Sequence, residues 1–250
     1  MDFQNKAAIV TGGSSGIGLL FAQCFVREGG CVVIGGRDAE KLRARVDELN
    51  AIRPGSAAGV PCDVRYYEQV CAVRDRAVER FGRIDVLVNT AGGAERRLFN
   101  AEDKEFPDVP IEAYDWGVDV NLKGQLHFDH AVMKQMRAQR SGVIIHLGSI
   151  VGEEGSAGSI AYSAAKSGAM NGLTKSVALY GGQYGVRCVC VSPGPVMTRP
   201  GMATMKTLVG RGAEPQEIVD LMLYLASDRA AFITGEDILI DGGRNILRNK

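Results

Sequence analysis

Tyr162 and Lys166 stand four residues apart in Ile160-Ala161-Tyr162-Ser163-Ala164-Ala165-Lys166, and Tyr162 follows Ser149 by thirteen positions. On a helix this spacing sets phenol and ammonium on one face, a turn apart. An unperturbed phenol titrates near pH ~10, and a cation beside it favours the phenolate. Tyr162 could therefore exchange a proton with a substrate oxygen near neutral pH. Ser149, at the end of a preceding strand, could hydrogen-bond the same oxygen. A Tyr and a Lys at this spacing also occur by chance on many helices, so the pair takes its weight from the elements around it.

The first of those elements is N-terminal. Ala7-Ala8-Ile9-Val10 reads as a short buried strand and leads into Thr11-Gly12-Gly13-Ser14-Ser15-Gly16-Ile17-Gly18. An apolar-periodic helix follows through Leu19, Leu20, Phe21 and Phe25. A strand, a glycine-rich turn and a helix N-terminus make a phosphate cradle: backbone N–H groups point outward, the helix dipole favours anions, and glycines admit a pyrophosphate closely. Three residues separate Gly12 from Gly16, where the common dinucleotide fingerprint has one. Taken alone, the segment also fits an ordinary glycine-rich turn.

Further strands read at Cys31–Ile34, Ala57–Val60, Ile84–Val88, Val143–Leu147, Val186–Val191 and Ile238–Ile240, with helices between them. Asp38 can cap the helix running to Asn50. Strands alternating with helices predict an α/β chain: a Rossmann-like doubly wound sheet of seven parallel strands, helices on both faces and right-handed crossovers. Ligands on such sheets bind beyond the carboxyl ends of the strands. Gly12, Gly36, Asp63, Asn89, Ser149 and Pro193 all fall there, which predicts one composite cleft.

These stretches together resemble the short-chain dehydrogenase/reductase family over nearly the whole chain. Thr11 to Gly18 is similar to its cofactor signature, and Asp63 to its adenine-contacting acid. Asn89-Thr90-Ala91-Gly92 resembles its motif after strand four, with Thr90 where a second Asn is commoner. Asn121, Ser149, Tyr162 and Lys166 match its catalytic tetrad in order and spacing. Pro193-Gly194, with Val196 and Thr198, resembles the loop that closes over the nicotinamide, and Asp241-Gly242-Gly243 the usual C-terminal ending. The resemblance implies a dinucleotide held by Gly12, Ser14, Ser15, Gly16, Ile17, Gly18, Arg37, Asp63, Val64, Asn89, Ala91, Gly92, Tyr162, Lys166, Pro193, Gly194, Val196 and Thr198. It further implies that Lys166 bonds the nicotinamide ribose and that Asn121 props a water linking Lys166 to solvent. From the residues alone, Asn121 reads as a polar residue inside a helix. The family's assemblies imply a homotetramer, or a homodimer, pairing the long helices around Asn121 and Tyr162.

Composition bounds the alternatives. The 250 residues suit one NAD(P)-binding domain spanning 1–250 and including the substrate cleft, and 46% apolar residues suffice to cover both faces of a sheet. Formal net charge is zero, so nothing global favours nucleic acid or membrane. The start, Met1 to Lys6, lacks a signal-peptide core, and no apolar run approaches the ~18 residues of a membrane span. Six scattered cysteines fit no zinc pattern and read as small core side chains of a reduced, cytoplasmic protein. His127, His130 and His146 lack partners spaced as a metal set, so no metal is expected; His146 reads as a core residue. Leu147-Gly148-Ser149-Ile150-Val151 lacks the glycine-flanked elbow of serine hydrolases.

Strand two ends Gly35-Gly36-Arg37, with no acid placed for a ribose 2′-hydroxyl, and a guanidinium suits a 2′-phosphate. The sequence therefore predicts an NADP(H)-dependent oxidoreductase that interconverts a ketone and a secondary alcohol, with Tyr162 as acid and base. An NAD-dependent alcohol or polyol dehydrogenase is the alternative, and a non-catalytic dinucleotide sensor a weaker one. The substrate side is expected in residues 93–96, residues 150–159 and the short segment after Thr198. Arg96, Arg97 and Arg199 could meet an acidic group or be solvated, while Glu153 and Glu154 could bond substrate hydroxyls. A 3-oxoacyl thioester, a keto-sugar acid or polyol, and a hydroxysteroid all remain open. The stretch from Glu95 to Tyr114 could be a cleft wall or a surface loop.

Overall fold

Strands that are apolar on both faces must be covered on both faces, and the chain is built that way. The computed structural model describes residues 2–198 and 200–247. Its strands are β1 (Ala7–Thr11), β2 (Cys31–Gly36), β3 (Ala57–Pro61), β4 (Val86–Asn89), β5 (Gly142–Leu147), β6 (Val186–Pro193) and β7 (Asp237–Ile240). They form one parallel sheet in the order β3-β2-β1-β4-β5-β6-β7. The helices are α1 (Gly16–Arg27), α2 (Ala39–Ile52), α3 (Tyr67–Phe81), α4 (Glu95–Leu98), α5 (Ile111–Val118), α6 (Gly124–Gln139), α7 (Val151–Glu154), α8 (Ile160–Ser167), α9 (Thr174–Gly182) and α10 (Pro215–Ala226). Two wide π turns, Asp119–Lys123 and Gly168–Leu173, join α5 to α6 and α8 to α9.

Alternation along the strands divides the core in two. Ala8, Val10, Val32, Ile34, Val86 and Val88 pack under α1, α2 and α10, whose Phe21, Phe25, Leu42, Leu49, Ile218 and Met222 are buried. Ile9, Val33, Leu87 and Ile144 face α3, α6 and α9 through Val70, Val73, Phe128, Val132 and Ala178. Asp38 caps α2 as expected, accepting the Lys41 N–H at 2.9 Å. Strand four begins two residues later than the apolar run suggests. At its entry stands Asp85, a buried carboxylate that accepts the Ala7 N–H at 2.9 Å and pairs with Arg83 at 2.7 Å.

His146 is a core residue, and it anchors a polar network. Its Nε2 lies 2.9 Å from Asp129 and its Nδ1 2.8 Å from Thr174, while Asn89 Nδ2 donates to Asp129 at 3.0 Å. All four side chains are buried, so β4 and β5 are tied to α6 and α9 beneath the sheet's carboxyl end. The order of strands reverses about β1 and β4, which opens a crevice at that end.

Candidate active site

The crevice is a cleft of about 740 Å³. Every residue expected to hold the dinucleotide lines it except Asn89, and Ser149, Tyr162 and Lys166 line it too. Asn89 is turned away because its amide serves Asp129. Asn121 also stands behind the wall. Its Oδ1 accepts the Gly93 N–H at 3.0 Å, and its Nδ2 donates to the carbonyls of Gly93 at 3.0 Å and Gly117 at 2.8 Å.

At one end β1 passes into α1. Gly12 takes φ +65° and Gly16 φ +56°, both left-handed values that suit glycine. A Cβ on Gly12 would stand 3.0 Å from the backbone of Ala91, whereas the space over Gly16 is open. Gly18 has no room either, because Thr90 Oγ1 and the Gly12 carbonyl occupy it. Thr90 explains its own place: its hydroxyl donates to the Thr11 carbonyl, and Ala91 N–H donates to Thr11 Oγ1 at 3.0 Å. The ends of β1 and β4 are thus laced together beneath the loop. Ser15, the α1 N-cap, makes no side-chain cap bond, and it lines the cleft with Gly16, Ile17 and Gly18 of the first turn. A glycine cradle closed below and open above a helix N-terminus fits a dinucleotide pyrophosphate.

Beyond β2 and β3 lie exposed Arg37 and half-buried Asp63. Asp63 is held by Arg65, whose Nη2 lies 2.7 Å from Oδ2. Burial pushes the Asp63 carboxyl up, but the bonds and charge of Arg65, with the charge of Arg37, outweigh it and hold the acid below its ordinary range. Arg65, two residues on, belongs to no motif read from the sequence, so its hold on Asp63 was missed.

At the other end, α8 carries Tyr162 and Lys166 on one face. Lys166 Nζ lies 5.5 Å from the centre of the Tyr162 ring and donates to the Leu147 carbonyl. The lysine is 3% exposed, and burial pulls its ammonium down from 10.5 to about 8. The Ser149 hydroxyl accepts the Val151 N–H at 3.4 Å.

Leu98, Trp116, Ile150, Val151, Met202 and Met205 complete the walls, so the first part of the 95–114 stretch is a cleft wall. Arg97 also lines the cleft, and no hydrogen bond or ion pair engages it among the described residues. Arg96 is spent on the loop instead, donating to the carbonyls of Ala101 at 2.8 Å and Glu102 at 2.6 Å and to that of Lys104. Glu154, expected toward substrate hydroxyls, pairs with Arg244 at 3.1 Å, both side chains largely buried. Glu95, expected on the substrate side, is fully buried and faces α8. Arg199 lies outside the described residues. Among the described residues no His, Cys, Asp or Glu cluster could hold a metal ion, and no helix is long and apolar enough to cross a membrane. All six cysteines are free.

Comparison with known proteins agrees with this architecture. Residues 6–208 match the short chain dehydrogenase family. A 3-oxoacyl-(acyl-carrier-protein) reductase of Thermotoga maritima is 34% identical, covering 97% of this chain and 99% of its own. A trans-4-hydroxycyclohexanecarboxylate dehydrogenase of Sinomonas cyclohexanicum is 37% identical over 98% and 94%. The solved structure of a 7α-hydroxysteroid dehydrogenase complexed with NADH and 7-oxo glycochenodeoxycholic acid superposes with a TM-score of 0.85 at 26% identity, covering 97% of this chain and 95% of that one. The chain belongs to the short chain dehydrogenase family. It is an oxidoreductase acting on CH–OH groups with a nicotinamide dinucleotide.

Proposed function

We propose that this protein is an NADP(H)-dependent reductase of apolar ketones that carry an anionic group, with Tyr162 as the proton donor. Convergence of Ser149, Tyr162 and Lys166 on one end of a cleft whose other end is a glycine cradle carries this reading. Gly12, Gly16 and Gly18 would hold the pyrophosphate, Asp63 and Val64 the adenine, Arg37 the ribose 2′-phosphate, and Pro193, Gly194, Val196 and Thr198 the nicotinamide. The dinucleotide, when bound, supplies the hydride exchanged with the carbonyl carbon. Ser149 holds the carbonyl oxygen, and Tyr162 donates its phenolic proton to it as charge develops. Lys166, while protonated, favours loss of that proton by its charge and would bond the ribose of the bound dinucleotide. Asn121 acts from behind, fixing Gly93 and hence the wall that adjoins α8.

The preference for NADP(H) rests on Arg37 at the end of β2, where no acid stands for a 2′-hydroxyl. The substrate class rests on the contrast between six apolar walls and one unengaged cation, Arg97. The carboxylate of the Sinomonas relative's substrate and the acid in the steroid complex accord with it. The single-domain reading, residues 1–250, accords with one sheet serving both halves of the cleft. Exposed Leu126 on α6 with Leu179 and Tyr180 on α9 favours pairing with further copies, as a homotetramer or homodimer.

The test follows NADPH and NADH absorbance over a panel of cyclic keto acids, their neutral esters, polyols and 3-oxoacyl thioesters. Faster oxidation of NADPH with the keto acids than with their esters is expected. A preference for NADH, or for neutral polyols, would overturn this reading.

A further inference from the structure

Glu95 is a carboxylate with no exposed surface, and its charge has no lysine or arginine partner among the described residues. What it has is α8. Oε1 accepts the Ala161 N–H and Oε2 accepts the Tyr162 N–H, both at 3.1 Å. These are the second and third amides of that helix, which are orphaned at any helix start unless something caps them. The local N-cap, Ser159, makes no side-chain cap bond. The first residue of α4 therefore caps the helix that carries Tyr162 and Lys166, across 66 positions of sequence.

The surroundings are shaped for this contact. Gly117 in α5 faces it, and a Cβ there would lie 2.9 Å from Ala161 Cβ and 3.5 Å from Glu95 Oε2. Any larger residue at 117 would wedge between the helix and its cap. Two residues before Glu95, Gly93 exchanges both backbone bonds with the Asn121 amide. A continuous set of contacts thus runs from Asn121 through the Gly93 backbone and the Glu95 carboxylate to the Tyr162 amide.

We infer that Glu95 is a positioning residue for the reaction: it fixes the first turn of α8, and with it the reach of the Tyr162 phenol toward Ser149. This rests on the reading of Tyr162 as the proton donor. A carboxylate accepting two amides of the first helical turn is a charge-assisted contact, favoured also by the helix dipole. Without it two buried amides lose their partners, and the turn that aims the phenol is free to shift. Misplacement of a catalytic group by about 1 Å costs on the order of a hundredfold in rate.

The experiment compares Glu95→Ala and Glu95→Gln with wild type in kcat, KM, NADPH affinity by fluorescence, thermal stability, and hydrogen exchange at the Ala161 and Tyr162 amides. Glu95→Gln keeps the side-chain volume and one acceptor, so it serves if the alanine variant does not fold. For Glu95→Ala, kcat should fall about a hundredfold and both amides should lose protection, while NADPH affinity stays within about threefold, because the cradle lies elsewhere. Glu95→Gln should fall roughly tenfold for the loss of one charge-assisted bond. Unchanged exchange at the two amides would overturn the inference. So would faster exchange in folded protein whose kcat stays within about twofold of wild type, since Glu95 would then be only a structural cap. Tyr162→Phe, run beside them, separates the two claims. Retained turnover there contradicts the proton-donor reading, and with it the role of Glu95 in aiming the phenol; an inactive Tyr162→Phe beside a fully active Glu95→Ala overturns the positioning role alone.

Discussion

Replacing Lys166 by methionine should change stability in a way that depends on pH, and the structure fixes sign and size. The ammonium is 3% exposed and burial holds it near 8 instead of 10.5. Folding therefore favours the neutral amine. Between the two values the unfolded chain binds more protons than the folded one, so stability rises with pH across the window, and the burial cost is felt in full below it. That cost is about 3 kcal/mol, and roughly 2 kcal/mol of it is recovered between about pH 7 and about pH 9.5. Methionine does not titrate, and terms such as the lost bond to the Leu147 carbonyl do not vary with pH. The stability of Lys166→Met minus that of wild type should thus fall by roughly 2 kcal/mol over this range in urea unfolding. A difference constant to within ~0.5 kcal/mol would refute the buried-ammonium argument. Near pH 7 most of the lysine still carries its charge beside Tyr162, so the cost of burial is borne in the state that serves the phenol.

Two other substitutions probe the ends of the account. Arg37→Asp removes the guanidinium and supplies an acid for a 2′-hydroxyl, so the ratio of kcat/KM for NADPH over NADH should fall about a hundredfold; an unchanged ratio would show that Arg37 does not read the 2′-phosphate. Asp129→Ala leaves His146 and Asn89 buried without their shared partner and should cost roughly 3 kcal/mol in urea unfolding. A cost below ~1 kcal/mol would mean the network contributes little.

The fold was legible because its signals are local. Val32, Val33 and Ile34 are apolar on both faces, which only a doubly covered strand requires, and the same holds for Ile144 with Ile145. The glycine turn and the Tyr162–Lys166 spacing are likewise contiguous, so the cleft's two ends could be read before their distance was known. What stayed hidden is side-chain pairing over long separations. Glu95 reads as one more polar loop residue until the first turn of α8 is seen to rest on it. Glu154 gives no sign of Arg244, ninety residues on. Asn89 stands where a cofactor contact is expected, yet Asp129, forty residues on, draws its amide below the sheet.

The central claim is that Tyr162 delivers the proton. Its most direct test is single-turnover oxidation of bound NADPH by a reactive keto acid, in wild type and in Tyr162→Phe. The phenylalanine variant should bind NADPH with affinity unchanged within about threefold and oxidise it about two to four decades more slowly. Oxidation at a rate within about threefold of wild type would contradict the claim, and the proton would have to come from elsewhere in the cleft.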